Sequence, residues 1–233
     1  MTRTKGRAKT PHRTGKKNYG RTAAPRRGGR PSREEAAQLG EHILDIATGL
    51  FLEHGYGATS IEAVARRARI SKRTFYDRFA DKPALFGAVL HRIVDRLRPP
   101  ATVPLVTGAD LRENLERLAG IILRAALSPQ AIALHRLIVG ESGRFPKLAA
   151  VVAAEGGTAE AVQLIAGLLE RDAHTGRLAL DDPVFAAEQF LYMVMAIPQR
   201  RAAGLGMAMA QAELDAWARK TVSLFLNGCR GSG

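Results

Sequence analysis

Between Arg66 and Lys82 the chain carries seven Lys or Arg residues and three aromatic rings. The stretch RISKRTFYDRFADKPALF (Arg69–Phe86) sets Ser71, Lys72, Arg73 and Thr74 beside Phe75, Tyr76 and Phe79. Basic side chains neutralise phosphates and donate to base edges; hydroxyls reach phosphate oxygens. A tyrosine ring packs while its hydroxyl donates. The chemistry available here is recognition of a polyanion. Catalysis has no comparable constellation: there is no GxSxG elbow, no Walker-type loop and no dinucleotide fingerprint. The histidines at 12, 42, 54, 91, 135 and 174 form no His-x-x-x-His pair, so no metal or other cofactor is expected.

Apolar side chains are spaced to build helices around this stretch. Leu39, Ile43, Ala47, Leu50 and Phe51 recur at three- and four-residue steps, predicting a helix of about 20 residues opened by Ser32 and stopped by HGYG (His54–Gly57). Thr59 and Glu62 have the spacing of a capping box for a second helix, with Ile61, Val64, Ala65 and Ala68 inward and Arg66, Arg67 and Arg69 outward. Ser71 caps a third, short helix running through Phe79. Asp81 caps a fourth, which ends at Pro99–Pro100. Two short helices about three residues apart form a helix-turn-helix whose second member can enter a DNA major groove. In that arrangement Phe75 and Phe79 hold the helix from inside, leaving Lys72, Arg73, Thr74 and Arg78 on the groove side. Periodicity alone also permits a solvated basic helix with one buried aromatic side.

The net charge of +13 is unevenly distributed. Residues 1–32 hold 11 Lys or Arg and no Asp or Glu, whereas residues 99–233 hold 13 basic and 13 acidic groups. We read 1–32 as a disordered basic arm for phosphates, with Arg26, Arg27 and Arg30 of PRRGGRP as its minor-groove candidates. A solubilising leader has the same composition. One cysteine, Cys229, excludes an intrachain disulfide framework, and no apolar run reaches a membrane-spanning length. A cytoplasmic protein, associated with the nucleoid and having no membrane partner, is expected.

ILDIATGLFLEHGYGATSIEAVARRARISKRTFYDRFADKPALF (Ile43–Phe86) resembles the N-terminal domain of the TetR family. The pieces RL…E…RFP and DDP…AAEQF resemble the AefR-like subgroup of its C-terminal domains. The resemblance implies an all-α protein: a three-helix helix-turn-helix head over 33–98 and a larger helical effector-binding and dimerisation domain over 101–228. It also implies a homodimer on a palindromic DNA operator, responsive to an unidentified small molecule and most commonly a repressor. Carried over by position, the DNA-binding residues are Thr59, Ser60, Lys72, Arg73, Thr74, Tyr76, Asp77, Arg78 and Lys82, with Lys82 a phosphate contact. Asp77 is expected to pair with a neighbouring cation. The family pattern has glycine where this chain has Arg69, so an unaltered turn requires positive φ at Arg69. An architectural nucleic-acid-binding protein with little sequence specificity is the other reading.

In the second half, Leu111, Leu115, Leu118 and Ile122 form one stripe and Ser128–Val152 provides two helices around Gly143. Thr158–Gly176, Pro183–Pro198 and Gln211–Leu226 provide three more. The resemblance implies that Thr158–Thr175 and Pro183–Ile197 pair across a dimer. His135, Tyr192 and Met193 are candidates to line an effector pocket.

Overall fold

The computed structural model describes residues 32–99, 104–107, 110–155 and 157–228, and the elements among them are ten α-helices. They are α1 (Arg33–Ala58), α2 (Ile61–Arg67), α3 (Lys72–Tyr76), α4 (Lys82–Leu97) and α5 (Leu111–Ala126). After these come α6 (Pro129–Glu141), α7 (Pro146–Glu155), α8 (Thr158–His174), α9 (Pro183–Ala202) and α10 (Gln211–Gly228). The protein is all-α, as the resemblance implies. No single helix among the described residues is long and apolar enough to cross a membrane.

Most of the helix starts are encoded locally. Ser32 accepts from the Glu35 backbone N–H while the Glu35 carboxylate accepts from the Ser32 N–H, a reciprocal capping box. Ser71, Asp81, Ser128 and Asp182 cap α3, α4, α6 and α9 in the same side-chain-to-backbone manner. The box predicted at Thr59 is not formed. Ser60 caps α2 by accepting from Ala63, while the buried Thr59 hydroxyl donates to the Leu50 and Gly55 carbonyls.

Two hydrophobic cores organise the chain. The first joins Ile43, Phe51, Val64, Phe75, Phe86 and Ile93 of α1–α4 to Leu134 of α6 and Leu148 of α7. The second joins α5, α8, α9 and α10 through Leu115, Ile165, Leu169, Phe190, Val194 and Val222. Packing thus crosses the boundary read near residue 100, because α6 and α7 complete the first core. Arg92 ties α4 to α1 from inside: 8% exposed, it donates to the Glu41 carbonyl, the Asp45 carboxylate and the Thr48 hydroxyl.

Pro198 does not end its helix as expected; α9 continues to Ala202. Proline removes the N–H that would bond to the carbonyl four residues back. That carbonyl, Val194 O, instead accepts from the Trp217 indole of α10 at 2.9 Å. The neighbouring helix replaces the missing donor, and the chain stays wound.

Candidate nucleic-acid interface

The joint between α2 and α3 sets which side chains face outward. Ala68 ends α2, the Arg69 N–H donates to the Arg66 carbonyl, and the Ile70 N–H reaches back to Ala65. This pair of bonds is the Schellman motif, which needs a left-handed residue just beyond the cap. That residue is Arg69, with φ 56°, and among the described residues it is the only non-glycine at positive φ. The expected turn is kept, with a backbone cost of about 1 kcal/mol that glycine would not incur. Ile70 packs onto the head core beyond the turn and fixes the direction of α3.

Helix α3 is shorter than predicted. Its helical residues end at Tyr76, with Asp77 as C-cap, although the Asp77, Arg78 and Phe79 N–H groups still donate backward and keep the chain coiled. Phe75 is fully buried and Phe79 partly buried, their ring centroids 5.5 Å apart, so the aromatic side faces inward as expected. Lys72, Arg73, Tyr76 and Asp77 are exposed, and Thr74 is half-buried with its hydroxyl 2.8 Å from that of Ser71. Ser60 is exposed at the start of α2. Lys72 pairs with Glu62 at 2.7 Å, which lowers the Glu62 carboxyl pKa and raises that of the lysine. Asp77 makes no ion pair among the described residues, contrary to expectation. Arg66, Arg67, Arg69 and Arg73 are also exposed, and none has an ion-pair partner among the described residues.

Three of the expected contact residues have hydrogen-bond partners within the chain. Thr59 is 2% exposed and its hydroxyl is occupied by two carbonyls, so its side chain is unavailable to a phosphate. Arg78 donates to the Ala36 carbonyl of α1 at 3.2 Å and braces α3 from behind. Lys82 donates to the carbonyls of Tyr56, Gly57 and Thr59 at 2.9, 3.3 and 3.0 Å. An ammonium has three N–H donors, so this set is complete. The same nitrogen lies 4.5 Å from the Tyr56 ring centroid. Burial lowers the Lys82 pKa, and the Glu141 carboxylate acts in the opposite direction. Lys82, expected as a phosphate contact, is partly buried and clips the end of α1.

Glu141, at the end of α6, meets that clip from the second half of the chain. Both of its carboxylate oxygens accept from the Gly57 N–H, at 3.1 and 3.2 Å. Gly55 has φ 86° and ψ 168°, a region essentially restricted to glycine, and an added Cβ would lie 2.5 Å from Glu141 Oε1. Phe145 closes the cluster against Tyr56, with ring centroids 5.1 Å apart. Sequence reading missed Glu141 and Phe145; the Gly-Tyr-Gly pattern was the only hint that another group approaches closely.

The suggested effector residues do not converge. Tyr192 is 66% exposed, Met193 packs against the second core, and His135 is partly buried, which lowers its pKa. One groove of about 680 Å³ lies between α1, α4 and α7, and another of about 360 Å³ between α5 and α10; neither includes these residues. Arg26, Arg27 and Arg30 lie outside the described residues.

Comparison with known proteins agrees with this architecture. Residues 43–89 match the family described as bacterial regulatory proteins, tetR family, and residues 113–228 match the AefR-like transcriptional repressor C-terminal domain. The chain is 38% identical over 90 residues to the HTH-type transcriptional activator FasR of Mycolicibacterium smegmatis, a match covering 39% of this chain and 40% of FasR. It spans about half the length of the curated relatives it matches. Among solved structures, the flavonoid-responsive regulator FrrA is 31% identical with a TM-score of 0.72, covering 84% of this chain and 100% of FrrA. A TetR transcriptional regulator from Agrobacterium tumefaciens is 27% identical with a TM-score of 0.65, covering 86% and 96%. A helix-turn-helix closed by a Schellman turn, family matches over 43–89 and 113–228 and a structural likeness covering 84% of the chain together make it a member of the TetR family of transcriptional regulators.

Proposed function

We propose that the protein is a ligand-responsive repressor that binds a palindromic DNA operator as a homodimer, with α3 of each head in a major groove. The observation that carries this reading is the two-sided α3: Lys72, Arg73 and Tyr76 exposed over a fully buried Phe75. Arg73 and Lys72 supply the donors for guanine, the Tyr76 and Ser60 hydroxyls reach phosphates, and Thr74 approaches the groove edge. The two heads read half-sites about 34–36 Å apart, one helical turn of DNA, or a multiple of it. Residues 1–32 form an arm that strengthens binding without selecting sequence, and 33–98 and 101–228 act as reading head and effector domain.

Repression is the direction favoured by the AefR-like repressor match, although FasR is an activator. Phe185 and Tyr192, 58% and 66% exposed and seven positions apart on α9, support the use of α8 and α9 as the pairing surface. A small-molecule effector is supported by the likeness to flavonoid-responsive FrrA. Its binding shifts the population of head spacings, so effector and operator oppose one another reciprocally. The protein then works in the cytoplasm, on the nucleoid.

The deciding experiment is selection of bound duplexes from random DNA at about 0.15 M salt, where phosphate contacts still contribute. The expected result is a palindrome whose recovery is lost in Arg73→Ala and Tyr76→Ala. Tight binding with no enriched sequence would replace this reading with an architectural role led by the basic arm.

A further inference from the structure

Arg69 stands in a backbone conformation that favours glycine, at the joint that aims α3. Its positive φ is imposed by the Schellman bonds Arg69 N–H to Arg66 O and Ile70 N–H to Ala65 O. The side chain does nothing visible to relieve that strain: it is exposed, and no ion pair or hydrogen bond holds its guanidinium among the described residues. Strain retained at a position where a residue without a Cβ would fit is an observation that asks for a use. The surroundings supply a chemical direction. Arg66 and Arg67 end α2 just before the turn, Lys72 and Arg73 open α3 just after it, and all are exposed. The acidic groups nearest in sequence are Glu62, already held by Lys72, and Asp77 at the far end of α3. The turn is therefore the middle of a cationic ridge with one internal ion pair.

We infer that Arg69 is a phosphate anchor: its guanidinium grips the DNA backbone beside the groove entered by α3, fixing the depth and register of that helix without reading bases. This rests on the DNA-binding role proposed above and adds to it a contact class at a position that glycine could not supply. A guanidinium matches two phosphate oxygens with two parallel N–H donors, which suits a single residue placed on a rigid turn.

The test compares Arg69→Gly, Arg69→Gln and Arg69→Lys in the full chain, using the duplex recovered by selection and a random-sequence duplex as probes. Binding is titrated across a salt series, and thermal melting is followed for each variant. One phosphate contact carries a salt slope of about 0.9, or about fivefold in affinity at 0.15 M salt relative to 1 M, for each head. Arg69→Gln keeps the side chain on the strained backbone but removes the charge; it should lose that slope and that affinity equally on both duplexes. Arg69→Gly should lose the same amount while melting no lower than the parent. Arg69→Lys should retain most of the slope. Parental affinity and slope in Arg69→Gln would overturn the anchor, and if Arg73→Ala still abolishes selective binding, the regulator reading survives. A loss confined to the selected duplex would make Arg69 a base reader and also overturn it. Failure of the parent chain to bind either duplex would overturn both readings.

Discussion

Two groups of cations within the same head behave differently. Arg66, Arg67, Arg69 and Arg73 project from α2, the turn and α3 with no ion-pair partner among the described residues. Arg78, Lys82 and Arg92 are turned inward, donating to Ala36, to the end of α1, and to Glu41, Asp45 and Thr48. The first group is available to a polyanion; the second builds the platform that presents it. The difference lies in backbone carbonyls. Helix ends and kinks leave C=O groups without helical partners, and a long cationic side chain can satisfy several at once. Lys82 does this at Tyr56, Gly57 and Thr59, just past the non-helical Gly55, where α1 runs out and α2 has not begun. A basic residue in a DNA-binding head is therefore not by that fact a DNA contact.

The sharpest test of this contrast pairs one residue from each group. Arg73→Ala should cost about 1–3 kcal/mol of selective DNA binding per head, read by fluorescence anisotropy on the selected duplex. Its folding stability should stay within about 0.5 kcal/mol of the parent. Lys82→Ala should do the reverse, leaving the Tyr56, Gly57 and Thr59 carbonyls without their donor and costing about 1–3 kcal/mol in urea unfolding. If instead Lys82→Ala unfolds like the parent and loses salt slope, the lysine belongs with the outward group and the clip is incidental.

Smaller effects probe the joint itself. Gly55→Ala forces a Cβ into a glycine-only conformation and against Glu141, so unfolding should become easier by about 1–3 kcal/mol. Combining it with Glu141→Ala should recover the part due to the clash and leave the part due to φ, a separation that a double-mutant cycle measures. The smallest change is expected from Arg66→Ala. Stability should move by less than about 0.5 kcal/mol. DNA binding should weaken evenly over all sequences, with a salt slope lower by about 0.9 per head. A stability loss above 1 kcal/mol there would mean that the outward group also supports the fold.

Much of this was legible in the sequence because it is local. Helix periods, the Ser71 and Asp81 caps and the inward Phe75 follow from residues within a few positions of one another, whereas the positive φ at Arg69 was implied by the family resemblance. Short-range hydrogen bonds and side-chain spacing carry that information directly. The mistaken capping box is instructive. Thr59 and Glu62 have the right spacing, yet a buried hydroxyl facing Leu50 and Gly55 was lost to the tertiary fold, and Ser60 took the cap. Pro198 failed as a helix terminator for a similar reason, since Trp217 satisfies the carbonyl it leaves open.

The sequence by itself determined the helix periods, most of the caps and the outward arginines of α2, because each depends on neighbours along the chain. Only the tertiary structure decided which cations bond back to the chain and how the second half meets the head. Lys82 finds its carbonyls 23 to 26 residues away, Arg78 finds Ala36 at 42, and Glu141 reaches Gly57 across 84. A side chain's donors state how many partners it needs but not where they are. That choice lies in the packing: α6 and α7 close the first core, and Glu141 of α6 and Lys82 of α4 meet at the end of α1.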